Sequence, residues 1–404
     1  MSAPQIDFRP FVNFAGTYTT GLSGLDSQGT TLGNVSSMGM LLSFGVSGTH
    51  SWKHTKVGVD YFGSISRYTN ATYGSYDNQF LLLSVIHQFT PHASFSLRNN
   101  TSIASQPFTS PSLPQTVTFD PASTYNPTTD FYDNRTIFLN TQASFTLQKS
   151  ARLSFNFGGQ VGLTERQGGV GLYSATIAGA TGDAQYRLSG HTTIGGVYDY
   201  EHFVYHGTFN ATDVQGLSGT YAIKLSRSLE FSGVGGFSKI ESKFLQNVPL
   251  NPALASLIGF ANGVVINYTH GYHPNFSARL SRSFQRGVAF LSGADAVTPG
   301  NGLFLTSTAL TSSAGYSYTG LRRWSLGATA TYLHANSISN VIGGYGDTDG
   351  GLSASRQIRR FVYMTLSLSA MKYQSPSFTG YNRLTYAGTF GLAFSPGNVP
   401  LRVW

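Results

Sequence analysis

Residues 139–163 read LNTQASFTLQKSARLSFNFGGQVGL. Leu139, Thr141, Ala143, Phe145 and Leu147 recur at every second position, and after Lys149-Ser150-Ala151-Arg152 so do Leu153, Phe155, Phe157, Gly159, Val161 and Leu163. A period of two is the side-chain period of a β-strand, so the stretch predicts a hairpin with one apolar face. The other face carries Asn140, Gln142, Ser144 and Thr146, then Ser154, Asn156, Gly158 and Gln160. A soluble hairpin normally places Lys and Glu there. Soluble strands also run about five or six residues, whereas a tilted strand that crosses a membrane needs about nine to eleven. Length and the lack of charge both point to a wall between lipid and a polar interior.

The connection at 149–152 has relatives along the chain: THSW (49–52), TPH (90–92), LSGH (188–191), SRS (226–228), FQRG (284–287), GLRR (320–323), QIRR (357–360) and SPGN (395–398). Their spacing is about 38 residues, and two units are longer by about 20, which marks a repeated supersecondary unit. Between neighbouring connections lie two alternating segments joined by turn formers, as in SRYTNATYGSYDN (66–78), GYGDTDGG (344–351) and YQSPSFTGYN (373–382). Nine connections, each joining two segments, predict about 18 strands. The two long units place their excess at 105–133, with Pro107, Pro111, Pro114, Pro121 and Pro127, and at 244–266. Prolines exclude regular strand from the first. In the second, Asn251-Pro252 suits the start of a short helix, since Asn caps well and Pro fits the first helical position.

Composition agrees. Of 404 residues only 10% are charged and 40% are hydrophobic, while 14% are aromatic and Gly numbers 47. Typical soluble domains carry about 25% charged residues and rely on them for solubility. No run approaches the roughly 20 apolar residues of a membrane helix. There is no Cys, which excludes disulfides and thiolate metal sites. The formal charge of +8 is dispersed among short connections and forms no patch or tail, so nucleic acid is not an expected partner. MSAPQIDFRP lacks the basic and apolar regions of a secretory signal, the expectation for a mature, exported form.

Long alternating strands, short connections at one end and longer ones at the other resemble the bacterial outer-membrane β-barrel class, porin-like in strand number, over essentially the whole chain. RFVYMTLSLSAMKY carries Val362, Met364, Leu366, Leu368 and Ala370 in one phase and Thr365, Ser367 and Ser369 in the other. NRLTYAGTFGLAF does the same with Leu384, Tyr386, Phe390, Leu392 and Phe394. The resemblance implies an all-β fold: a single transmembrane antiparallel up-and-down β-barrel of about 18 strands spanning residues 1–404, with short periplasmic turns, longer extracellular loops and both termini periplasmic. It implies outer-membrane lipid, lipopolysaccharide and the barrel assembly machinery as partners, the last reading a terminal aromatic such as Trp404. A homo-oligomer or a periplasmic partner fits the same class. Tyr198, Tyr200, Phe203, Tyr205 and Trp324 are expected in aromatic girdles at the membrane interfaces.

Charged residues in phase with the polar face are the candidates for lining a pore: Asp60, Arg98, Arg187, Asp199, Glu201, Lys224, Arg279 and Arg383. Lumen charges select solutes by sign, and their mixed signs predict weak selectivity. Lys149, Arg152, Arg227, Arg286, Arg322, Arg323, Arg359 and Arg360 crowd the connections and read as solvated turns. His202 and His206, and His270 and His273, lie in strand contexts, where helical metal-ligand spacing has no meaning. Asp347 and Asp349 sit in a Gly/Asp turn pattern without the closing Glu of a calcium loop. GGQVGLTERQGGVG precedes no helix and is not a phosphate loop. No catalytic constellation and no cofactor or metal site is expected. The expected function is an outer-membrane channel for passive diffusion of small polar solutes, with 105–133 or 244–266 folding inward as the constriction. The alternative is a sleeve or export conduit that holds an electron-carrier protein or an exported polysaccharide.

Overall fold

The computed structural model describes residues 5–22, 35–70, 75–104, 135–167, 173–249, 251, 259, 262–300, 305–338, 343–374, 383–396 and 399–402. The alternating segments form strands: β1 (Gln5–Leu22), β2 (Val35–Ser51), β3 (Thr55–Tyr68), β4 (Ser75–Thr90), β5 (Ala93–Ala104), β6 (Arg135–Gln148), β7 (Leu153–Gln167), β8 (Ser174–Arg187) and β9 (Thr192–His206). They continue as β10 (Ala211–Lys224), β11 (Leu229–Pro249), β12 (Asn262–Phe284), β13 (Gly287–Thr298), β14 (Ser307–Tyr318), β15 (Trp324–Ser337), β16 (Gly344–Arg359), β17 (Val362–Gln374), β18 (Arg383–Phe394) and β19 (Val399–Arg402). From β1 to β18 each pairs antiparallel with its sequence neighbours, β1 also pairs β18, and β19 pairs β1. The sheet therefore closes, which removes both edges.

Eight of the nine expected connections are hairpin turns. At Lys149–Arg152 the Ser150 hydroxyl accepts from the Arg152 and Leu153 amides at 3.2 and 3.0 Å. Ser189 repeats this with His191 and Thr192, both at 3.1 Å, and Ser226 with Ser228 at 3.2 Å. A serine hydroxyl that caps its own turn explains why three connections carry the same residue at the same place. The ninth, SPGN, is not a hairpin. β18 and β19 both run antiparallel to β1, with Phe394 opposite Val12 and Val399 opposite Phe8. Along that stretch one more residue is spent on the β18–β19 side than on β1, the signature of a bulge. β19 is thus the continuation of β18, and the barrel has 18 strands because β1 and β18 meet, not because SPGN turns.

Two further expectations change. GYGDTDGG is strand: Tyr345 and Asp347 lie opposite Ala335 and Leu333 on one side, and Asp347 lies opposite Tyr373 on the other. Pairing on both flanks overrides the local turn preference of Gly and Asp. The excess at 244–266 is not all loop, because β11 runs to Pro249 and β12 begins at Asn262, with Leu245 opposite Ile266 and Val248 opposite Gly263. Most of the apolar, alternating residues at its two ends extend the hairpin. The helix expected after Asn251-Pro252, and all of 105–133, lie outside the described residues.

The apolar phase faces out. Val12, Phe14, Met38, Met40, Phe157, Val161, Leu217, Phe237, Leu366, Leu368, Phe390 and Leu392 are all exposed. On β7 the outward apolar series runs from Leu153 to Leu163 and ends at Glu165, about ten residues, which at ~3.3 Å per residue and ~40° tilt is about 25 Å, the height of a lipid-facing band. At the turn rim arginines lie over aromatic rings, Arg282 over Phe284, Arg356 over Trp324 and Arg360 over Phe361, at 5.0, 5.3 and 5.0 Å. Tyr198 shares the outer face, but Phe203 and Tyr205 do not belong to a girdle: they face inward and are 1% and 2% exposed.

Candidate functional site

The inner face is the candidate site. Register places seven of the eight expected charges on it, Arg383 being described in its backbone alone, and they are spread around the wall instead of gathered. Asp60 stands between Ser47 and Leu82, and Arg98 between Ser84 and Gln142. Arg187 lies opposite Thr193 beside a turn, and Lys224 pairs with Glu230 at 3.5 Å on the exposed rim. The Arg279 guanidinium lies 4.9 Å from the centre of the Phe290 ring. Arg383 stands in register opposite Tyr373. Register also brings Asp183, Asp347 and Asp349 to this face, opposite Asn156, Leu333 and Thr331. Asp183 was legible from its phase in TIAGATGDAQYR. Asp347 and Asp349 were hidden by their glycines.

Hydrogen bonds on this face skip strands, and glycine permits it. Gln142, Gln160, Gly179 and Glu201 form one row across β6, β7, β8 and β9. The Gln142 amide donates to Gln160 at 3.4 Å, and the Gln160 amide donates to Glu201 at 2.7 Å, passing over Gly179. A Cβ at 179 would come within 3.1 Å of Gln160 Cγ. Ser218, Gly236 and Asn275 repeat the arrangement across β10, β11 and β12. The Ser218 hydroxyl donates to Asn275 Oδ1 at 3.1 Å, while Asn275 Nδ2 donates to Ser238 at 3.0 Å. Asn156 Nδ2 donates to Asp183 at 2.9 Å, and Asn156 Oδ1 accepts from the Thr146 hydroxyl at 3.1 Å. These links hold polar side chains flat against the wall. Among the described residues they require no ion pairs in the middle of the barrel.

Burial along the inner face is graded. On β10, Thr212, Val214, Gly216 and Ser218 are buried, while Ala222 and Lys224 beside the turn are exposed. On β3, Phe62, Ser64 and Ser66 are buried and Lys56 is exposed. The interior is therefore open toward the short turns and filled toward the opposite end.

Part of what fills it is the β13–β14 hairpin. β13 follows β12 only as far as Asp295 opposite Phe276, while β12 runs on alone beside β11. Pro274, two residues further, has no amide hydrogen to offer and is tolerated in a strand where one side is unpaired. Beyond that point β13 parts from β12, while β14 stays paired with β15 as far as Ser307 opposite Ser337, and the end of the hairpin reaches the interior. Val297 and Leu305 pack on Ala175, Phe203, Tyr205 and Val214, inward-facing residues of β8, β9 and β10. The Tyr205 hydroxyl donates to the Pro299 carbonyl at 3.1 Å and lies 2.8 Å from the Thr306 hydroxyl, which is 2.7 Å from that of Thr212. His273 Nε2 stands 3.1 Å from Asp295 Oδ1, each side chain 20% exposed. His270 instead faces out, 3.8 Å from Glu241, and His202 contacts Asp213 at 2.8 Å.

No protein-family model matches the chain, and no curated protein is similar to it in sequence. Among solved structures, the open form of the ferric-catecholate import receptor Fiu from E. coli K12 is similar at 10% identity and a TM-score of 0.48, over 98% of this chain and 82% of that one. OccK7 (OpdD) from Pseudomonas aeruginosa matches at 10% identity and 0.44, over 99% and 100%. OccAB3 from Acinetobacter baumannii matches at 8% and 0.40, over 98% and 99%. Likeness at this level carries neither a family nor a cargo to this chain.

Proposed function

We propose that this barrel of the outer-membrane class is a passive channel for small polar solutes, narrowed by the inward tip of the β13–β14 hairpin. The observation that carries the reading is the inner face itself. It is lined by Ser, Thr, Asn and Gln held flat by cross-strand hydrogen bonds, is open toward the turns, and is filled at the far end by a described segment of the same chain. A wall of neutral donors and acceptors replaces part of a polar solute's hydration without binding it tightly, which a conduit requires. Scattered charges of both signs give no single-signed ring, so the expected selectivity is weak. Beside the constriction expected from sequence at 105–133 or 244–266, this reading puts a narrowing at Val297–Gly300 and at Leu305 and Thr306.

Conductance in planar bilayers and liposome swelling with neutral sugars of increasing size test it. The expected result is steady conductance with a size cutoff that rises when Pro299–Thr306 is replaced by a short Gly-Ser link. A protein that is folded but electrically silent, before and after that replacement, would overturn the reading in favour of a sleeve that holds a partner.

A further inference from the structure

The outer wall of β5–β8 carries a polar group where lipid should be. Asn99 on β5 lies opposite Leu83 and Thr141, and exposed Leu83 and Val161 in the same row fix that row as the lipid-facing one. Its position about six residues above Ala93, where β5 leaves the turn, puts it about 15 Å up an apolar band of about 25 Å. Asn99 Nδ2 donates to Thr141 at 2.8 Å, and the Thr101 hydroxyl donates to Asn99 Oδ1 at 3.0 Å. A carboxamide has two N–H donors and two acceptor lone pairs, so these bonds leave one donor and one lone pair over. Leaving such groups in hydrocarbon costs free energy.

Beside this triad the wall is shallow. Ala143, Gly159 and Ala180 form one hydrogen-bonded row across β6, β7 and β8, flanked by protruding Phe157 and Val161. The glycine there serves no internal packing. A Cβ at Gly159 would meet its nearest atom at 3.7 Å, and one at Gly182 at 3.9 Å, both ordinary contacts. On the inner face the reverse holds, since a Cβ at Gly236 would collide with the Leu217 carbonyl and Ser218. The outer small residues shape a surface that something outside must fill.

We infer that the β5–β8 wall is the face on which two copies of this chain pair, side by side in the membrane about a twofold axis along its normal. A co-oriented second copy presents the same residues at the same depth, so it brings a second Asn99–Thr141 pair to the leftover donor and acceptor, and a second Phe157 to the trench. One self-complementary patch makes a closed dimer. Four strands at ~4.8 Å spacing and a height of ~25 Å offer about 500 Å² per copy and about 1,000 Å² in total, the lower bound for a specific interface.

The chain has no Cys, so a single introduced thiol reports cleanly. Ala143→Cys lies in the trench, and Leu352→Cys lies outward on β16, on the far wall. Oxidation in native membranes is expected to give a disulfide dimer with Ala143→Cys at least tenfold more abundant than with Leu352→Cys. Adding Asn99→Leu, which removes a lipid-facing polar group with its bonds to Thr141 and Thr101 and leaves the barrel heat-modifiable on gels, is expected to cut that yield several-fold. Equal yields from the two thiols, an oligomer in which Ala143→Cys does not cross-link, or a yield untouched by Asn99→Leu would each overturn the assignment.

Discussion

Two described anchors of the β13–β14 tip let its release be reckoned. Tyr205→Phe keeps the ring in its cluster with Val297 and Leu305 but deletes the hydroxyl that donates to Pro299 and approaches Thr306. Two neutral hydrogen bonds at about 1 kcal/mol each make the change about 2 kcal/mol, or about a 30-fold shift in the ratio of docked to released tip. Asp295→Ala removes the second anchor, the contact with His273 at 3.1 Å. That contact is partly screened, and about 1 kcal/mol is a fair discounted value. The sites lie on different strands, so the effects should add to about 3 kcal/mol, a shift of more than 100-fold. The assay is single-channel recording. Wild-type protein should show one dominant conductance, Tyr205→Phe brief upward excursions, and the double variant a higher mean conductance with a larger size cutoff in swelling assays. Rates of permeation that stay identical in all three, with folding verified, would refute the claim that this hairpin sets the narrowest passage.

Two adjacent glycines of β11 offer a paired test: Gly236→Ala on the inner face should lower urea stability by about 2 kcal/mol or more because the added carbon meets backbone, whereas Gly235→Ala on the outer face, with nothing within 4 Å of its Cβ, should be nearly neutral. Gly179→Val should displace Gln160 from Glu201 and raise cation preference, read as a shift in reversal potential across a salt gradient; an unchanged potential would show that the Gln160–Glu201 link does not set the charge seen by ions. On the outer face, Phe157→Lys should destabilise folding into bilayers by about 2–4 kcal/mol, while Glu165→Lys at the band's edge should cost about 0–1 kcal/mol. Similar costs at both positions would place the lipid boundary elsewhere on β7.

Alternation by itself determined most of the strands and which phase of each faces out, and it reached about 18 strands although SPGN, counted among the connections, is not a hairpin. It did so because a strand's side chains have period two and lipid demands an apolar phase on every one of them. In 139–163 each assignment of face read from the sequence agrees with register, with Phe145 opposite Phe157 outside and Gln142 opposite Gln160 inside. Only tertiary pairing decided that the strands on either side of SPGN run in line along β1, that GYGDTDGG is wall, and that β11 and β12 outrun their neighbours. It also decided that β13 parts from β12 beyond Asp295 and that Phe203 and Tyr205 meet Val297 and Leu305 there. Local pattern cannot carry those facts, because Gly, Asp, Pro and aromatic residues take their meaning from what lies on the neighbouring strand. For strands that close a barrel, that neighbour can be almost the whole chain away.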